Sequence, residues 1–520
     1  MAIIGNRYST VGVYRTGDGG DSWELMATSE IVSYQGWYAK GLLIKADDPT
    51  RIIAGGVSLF KSSNSGDSFS GFGSVHSDIH DIIANPLDLN KIYVITDGGL
   101  YRCNTFAGNN WYACTNGYVT TQFYIGSVSA QNAALALGGL QDNGTVQYSG
   151  SQDWEDVLGG DGCWNLISPA NDDVQFACYQ YLNITKSSNG GNFFNTVYSS
   201  PSDPYGYNPA AFLGPLVMSP AETNVIYAGS STLLKSTNTG GSGSWNEIQE
   251  DPIDNENPIL SIGVSSLSPD TVYFSTAPRG TNAMHFYRSV DGGETKEDIT
   301  AGLPNRYARR ITVHPLNAQI VYAVFSGFSG TTGGHIFKST NAGSTWTDVS
   351  ISLPDIPFHC LVIDPAYPSN LYAGSDFTVY VSSNGGDNWF TYADGLPEAV
   401  MIFDLVISPS DQTLLAFTHG NGVYRNDLLE DAVSVSQPSP SPLFSVYPNP
   451  VTEVVSIQFN KTVAQASLAL IDYSGKEIAG RKIYSTRNFQ WNLPGLPQGN
   501  YLLQAVTEGK TFTQKIAVIH

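Results

Sequence analysis

The sequence predicts an all-β chain, a propeller of four-stranded sheets followed by a small Ig-like β-sandwich. Three observations point there. A phrase of the form Ser/Thr-x-Asp/Asn-x-Gly-x-x-aromatic returns about every 40–50 residues through residues 1–427. Between its copies lie short β-rich runs separated by Gly, Pro and Asx turns. Residues 444–520 then abandon the repeat for longer alternating runs, and the sign of the charge changes with it.

The phrase is clean at Thr16–Trp23, Ser62–Phe69, Ser187–Phe194, Ser339–Trp346 and Ser382–Trp389. Ser236–Trp245 carries a small insertion, and Ser289–Lys296 has lost the aromatic. Its chemistry is that of a turn. Glycine supplies a backbone conformation other residues resist, and an Asp or Asn side chain bonds the local backbone. Asp18, Asn64, Asn189, Asn238, Asp291, Asn341 and Asn384 therefore read as structural residues. Six of the nine tryptophans (Trp23, Trp111, Trp154, Trp245, Trp346 and Trp389) close such a phrase, a regularity that marks them as core.

A unit opens with an alternating run and a Pro turn (ITVHPLNAQ, LVIDPAYPS), continues with a second apolar run (IVYAVF, NLYAGS), and enters the phrase on a short third run. The aromatic begins the fourth. Two degenerate units run to Trp111 and Trp154, making ten in all; the first lacks its opening strand and the last an obvious fourth. Radial stacking of such units into a ring protects their sheet edges.

These phrases resemble those of the Asp-box (BNR-repeat) propellers, a group that holds sortilin-like receptor domains, sialidases and family 74 glycoside hydrolases. The resemblance covers residues 1–427 and implies the architecture; the box is a turn and carries no activity by itself. Ten units fit either a single ten-bladed ring, as in sortilin-like domains, or part of a tandem pair of seven-bladed rings, as in family 74 enzymes.

Residues 428–443 read as a Pro/Ser linker. The module at 444–520 resembles the type A C-terminal sorting domain of type IX secretion substrates. The resemblance rests on Tyr447-Pro448-Asn449-Pro450, the turn Asp472 to Lys476, Leu493 to Tyr501, and Lys515 to Val518. It implies the type IX secretion machinery as a partner, and a secreted or surface-displayed product in a Gram-negative bacterium. That route also needs an inner-membrane signal peptide, which the opening MAIIGNRYST does not supply. Residue 1 is therefore expected to lie inside a longer gene product.

Net charge is −21, which argues against nucleic acid as a partner. Residues 444–520 hold seven Lys/Arg and four Asp/Glu, so they carry +3 and the rest −24. No run is apolar enough to be a transmembrane segment. Of five cysteines, Cys103 with Cys114 and Cys163 with Cys178 each flank a predicted hairpin and are candidate disulfides, with buried free thiols the alternative.

Four polar phrases stand outside the repeat: HSDIHD (His76 to Asp81), TDGG (Thr96 to Gly99), GLQDNG (Gly139 to Gly144) and GGDG (Gly159 to Gly162). The start of a first strand and the end of a second lie on one face of a propeller, so all four are expected on one rim, with the boxes on the other. Asp78, Asp97, Asp142 and Asp161 are candidate acid/base carboxylates for glycoside hydrolysis. His76, His80, Gln141 and Asn143 are candidate ligand-binding groups. Strand alternation would put His76, Asp78 and His80 on one side, a trio suited to a divalent metal. No other cofactor is indicated. A sialidase is disfavoured, because arginine is scarce on these loops and the Arg-Ile-Pro phrase is missing. Arg309, Arg310 and His314 start a first strand and read as a solvated turn, with a place on the same rim the alternative, and the Tyr-rich YQYLN and DPYGYNPAAF read as sugar platforms or blade-edge packing.

The functional expectation is a secreted or cell-surface propeller that binds an extracellular glycan or protein through the acidic rim. A glycan hydrolase using two rim aspartates, and a purely adhesive surface protein, are the alternatives. Aromatic residues beside paired carboxylates in an open cleft would favour hydrolysis; a plugged channel would favour binding.

Overall fold

The computed structural model describes all residues except 202–207, 249–251, 331–333, 430–443, 473–475, 494, 508–509 and 519–520. The chain divides into two compact units, Met1–Glu430 and Asp431–His520.

The first unit contains ten antiparallel sheets, each built from strands consecutive in sequence. We number them 1 (2–27), 2 (41–71), 3 (79–113), 4 (123–158), 5 (165–199), 6 (216–247), 7 (259–298), 8 (308–348), 9 (358–391) and 10 (402–427). Sheets 1 and 10 have three strands and the others four, as the repeat predicts. Second strands such as Val272–Thr276, Val321–Phe325 and Leu371–Ser375 are buried throughout, since each lies between two neighbouring sheets.

Sheets 4 to 10 close on themselves. Their first strands pack in sequence, and Ile402–Ser408 of sheet 10 packs back against Phe123–Val128 of sheet 4. The Gly126 amide donates to Asp404 Oδ2 at 3.1 Å, the rings of Phe123 and Phe417 lie 5.5 Å apart, and Gln122 bridges His419. Gly126 permits this approach, because a Cβ there would sit 2.2 Å from the Phe417 ring. Sheets 1, 2 and 3 form a separate stack, held by Val13, Val32 and Ala54 between the first two and by Ile53, Ile79 and Ile82 between the next two. The ten units thus divide into three and seven, and a single ten-bladed ring does not form.

Inside the ring, His359, Phe403 and His419 stack with centroids 4.4 and 4.3 Å apart, with Arg309 over Phe403. Arg310 pairs with the buried Asp404 and lies over Trp164. The two arginines therefore plug the ring rather than form a solvated turn; the first strand they open faces the ring axis. His314, by contrast, does sit in a turn, accepting the Leu316 amide.

Every box lies between the last two strands of its sheet, the third and fourth except in the three-stranded sheet 1, where Thr16–Trp23 joins the second and third. In most, the leading hydroxyl bonds the Asx side chain and accepts the glycine amide, as Ser339 does with Asn341 (2.9 Å) and Gly343 (2.8 Å). The same pattern holds at Asp18, Asn64, Asn189, Asp291 and Asn384. In the box with the insertion Ser236 Oγ instead meets Ser244 Oγ, while the Asn238 amide bonds Ser236 at 3.3 Å. Trp346 and Trp389 donate their indole N–H to Ile299 and Val349 of the preceding sheet. Trp23 departs from the expectation of a core residue: it is 49 % exposed, because sheet 1 is the outermost of its stack.

Neither candidate disulfide is formed; all five cysteines are free. Cys103 faces Trp111 across its hairpin, whereas Cys114 bonds back to Leu100, so the two are out of register. Cys163 and Cys178 share a core but remain thiols, and burial pushes both up, Cys178 from burial alone. Leu428 and Leu429 pack against sheets 9 and 10; the rest of the predicted linker, 430–443, lies outside the described residues.

In the second unit Val454–Ile471 and Glu477–Asn492 pair along their length, with a break between Gln458 and Val463. The first part of Val454–Ile471 pairs with Phe444–Tyr447, the second with Gly499–Thr507, which pairs in turn with Lys510–Val518. The two halves enclose one core that includes Phe444, Ile457, Leu468, Trp491 and Ile516. Asn449 ties the Tyr-Pro-Asn-Pro segment to the last strand, donating to Lys515 O (2.9 Å) and accepting the Ala517 amide (2.8 Å). The centre of the predicted Asp472–Lys476 turn lies outside the described residues, although Asp472 Oδ1 accepts the Lys476 amide.

Candidate functional site

Sheet 3 meets sheet 4 at the rim opposite the boxes. Asp78 immediately precedes the first strand of sheet 3, and Asp97 occupies the turn between its second and third strands. Asp142 occupies the equivalent turn of sheet 4, and Asp161 precedes the first strand of sheet 5. The expectation that the four phrases share a rim matches these positions.

Each carboxylate has its own surroundings. Asp97 Oδ1 is bonded by His80 Nε2 at 2.5 Å and by the Tyr38 hydroxyl at 3.1 Å. Asp161 accepts the Asp142 amide at 2.8 Å on one oxygen and Gln180 Nε2 at 2.6 Å on the other. Asp78 is only 8 % exposed. Its Oδ2 has one long bond, from Gln35 Nε2 at 3.4 Å, and its Oδ1 has none. Burial first, then repulsion from Asp97, raises its pKa. Asp142 is half-buried and pushed up to about 6, by burial first and then by Asp161 and Asp97. Burial, then Asp97, and less so Asp142 and Asp78, push Tyr38 up to about 12.

Asp78, Asp97 and Asp142 each bring an oxygen within 4.8 Å of the others. This group replaces the predicted trio of His76, Asp78 and His80. The first strand begins only at Ile79, and Asp78 takes φ +66°, so strand alternation does not reach back to His76. His76 turns away, its Nε2 meeting Asp142 O at 2.9 Å and its Nδ1 the Ser77 carbonyl, while His80 is spent on Asp97. Asn143 Nδ2 bridges the carbonyls of Asp97 and Gln141, joining sheets 3 and 4, and the Gln141 side chain bonds Asp142.

An open cleft of about 1270 Å³ runs from this rim between the end of sheet 3 and the ring. His76, Asp142, Asn143, Tyr118, Gln152 and Trp154 are among its walls, and the lining has no Lys or Arg among the described residues. Tyr118 is 72 % exposed. Sequence reasoning missed Tyr38, Gln35, Gln180 and Tyr118. Tyr38 and Gln35 lie on SYQGWYAKG, an aromatic-rich insertion between the first box and sheet 2 that could have drawn notice; Gln180 lies within the YQYLN phrase, singled out only for its tyrosines, and Tyr118 carries no such signal. Of the tyrosines proposed as sugar platforms, those in 202–207 lie outside the described residues. Tyr181 packs on Phe212 at 5.4 Å.

Residues 445–519 match the family model of the secretion system C-terminal sorting domain. No curated protein matches the chain. Among solved structures, YCF48 from Cyanidioschyzon merolae aligns at 12 % identity over 60 % of this chain and 97 % of its own, with a TM-score of 0.44. A GH74 xyloglucanase from Xanthomonas campestris aligns at 11 % over 91 % and 86 %, with a TM-score of 0.32. The Niastella koreensis GH74 enzyme aligns at 14 % over 97 % and 81 %, with a TM-score of 0.29. The chain is thus a β-propeller protein that ends in a secretion-system C-terminal sorting domain, addressed to the cell surface or the medium of a Gram-negative bacterium.

Proposed function

We propose that this exported propeller binds an uncharged extracellular glycan in the cleft between sheet 3 and the ring. The observation that carries the reading is the cleft's composition: the exposed Tyr118 ring and the half-buried Trp154 beside amides and the carboxylates Asp142, Asp153 and Asp156, with no cationic side chain among the described lining residues. Aromatic rings stack on sugar faces and amides exchange hydrogen bonds with hydroxyls, whereas an acidic polymer would call for Lys or Arg. The plug in the ring supports a ligand lying in this cleft rather than threading the propeller.

Isothermal titration of the full chain against neutral soluble polysaccharides tests it. Tyr118→Ala is expected to weaken the best ligand by about tenfold, since roughly 1.4 kcal/mol of stacking is lost. Binding unchanged by that substitution, or no binding to any neutral glycan, rejects the reading.

A second reading, glycan hydrolysis, is favoured by one observation: Asp142, at about 6, has the raised value a proton donor needs. Against it, Asp97 and Asp161 are committed to hydrogen bonds and Asp78 is buried, so a second carboxylate would have to come from the exposed Asp153 or Asp156 of the cleft wall. Release of reducing ends by wild type but not by Asp142→Asn would establish it.

A further inference from the structure

We propose that Asp78, Asp97 and Asp142 form a Ca²⁺ site that ties sheet 3 to the ring. The three carboxylates come from separate loops, yet each brings an oxygen within 4.8 Å of the others. Proximity of acids alone would show nothing. The second observation is Asp78 itself: it is 8 % exposed, and its Oδ1 has no hydrogen-bond partner. A buried carboxylate oxygen without a donor is costly, and a cation shared with the two neighbouring carboxylates supplies what the protein does not.

The donor set points to a hard cation. All three groups are carboxylates, and the nearby imidazoles are engaged elsewhere, His80 with Asp97 and His76 with the Asp142 carbonyl. Oxygen-only coordination suits Ca²⁺, Mg²⁺ or Mn²⁺ over zinc. The oxygens lie within 4.8 Å of one another, a spacing compatible with ligands of Ca²⁺, which takes carboxylate oxygens at about 2.3–2.6 Å in flexible geometry. His80 and Tyr38 hold Asp97 from behind, the outer support that orients metal-ligating carboxylates. Asp142 is half-buried and faces the cleft, which leaves one side of the ion open to water or to a ligand hydroxyl. Asp78 and Asp97 belong to sheet 3 and Asp142 to sheet 4, so the ion would bridge the two stacks.

The full chain, stripped with EGTA, is dialysed to equilibrium against radiolabelled calcium and, in parallel, melted with and without CaCl₂. One ion per chain is expected, with a dissociation constant at or below the order of 1 mM typical of extracellular sites. Asp97→Asn and Asp142→Asn are expected to weaken uptake at least about tenfold and to abolish the calcium-induced rise in Tm, while Asp18→Asn on the opposite face changes neither. No uptake by wild type at a few times that concentration overturns the proposal, and this arm needs no variant to fold. Uptake equal in wild type and both variants also overturns it. So does stabilisation by acid without stabilisation by calcium, which would mean the carboxylates share a proton and no ion.

Discussion

Asp142 is where burial, charge and exposure conflict. Its main-chain φ is +58°, and its carboxyl is raised to about 6 by burial and then by Asp161 and Asp97. A folded-state value above the unfolded one means that stability is fully present below about 3.8 and is lost as the pH rises through about 6. Asp142→Asn removes that loss. In chelator, the variant is expected to melt higher than wild type at pH 8, by an amount equivalent to about 1–3 kcal/mol, and the gain should shrink as the pH is lowered toward 4. Thermal denaturation across that range reads it, and a gain independent of pH would dismiss carboxylate repulsion as its cause. Asp291 illustrates the opposite environment: the Thr295 hydroxyl and amide hold its carboxyl down at about 2 in an exposed box. One residue type is thus a turn lock on one rim and a strained charge on the other, and only neighbours from other sheets make the difference.

At the scale of the element, two repeated side chains stitch sheet to sheet. The box tryptophan reaches back, as Trp346 does to Ile299 O at 2.9 Å. The second-strand tyrosine reaches forward: Tyr227 bonds Pro269 O, Tyr273 bonds Ala318 O, and Tyr322 bonds Gly385 O. The box marks each turn in the sequence because its hydrogen bonds are local. The tyrosines recur with equal regularity, yet their partners lie 42–63 residues away, so spacing alone assigns them no role. Trp346→Phe keeps most of the ring packing and loses one buried bond, so it should cost about 1–2 kcal/mol in denaturant unfolding. Trp23→Phe, at an exposed and unbonded position, should cost nothing measurable; equal effects would mean that the inter-sheet bond contributes little.

For the whole molecule, closure between sheets 10 and 4 decides the architecture. Gly126 lies at that seam, with no room for a Cβ against Phe417. Gly126→Ala should destabilise the propeller by about 1–3 kcal/mol through overpacking, whereas Gly17→Ala, which meets nothing, should be close to neutral. Differential calorimetry of both variants separates a seam from an ordinary loop; no shift for Gly126→Ala would count against closure there. The same closure explains the cleft. Because sheet 4 packs its inner strand against sheet 10, sheet 3 does not stack on it as the others stack, and rim loops join the two.

By itself the sequence determined the all-β class, ten units, the position of every box, the rim shared by the four acidic phrases, and the export module. These follow from local chemistry: turn residues, alternation and hydroxyl–Asx bonds act within a few residues. Only the tertiary structure decided that the units divide into three and seven, that Asp78 joins Asp97 and Asp142 rather than His76 and His80, and that Arg309 and Arg310 plug a ring. Those outcomes depend on contacts between residues up to 296 apart, such as His419 with Phe123, and on where a strand begins, which no periodicity encodes.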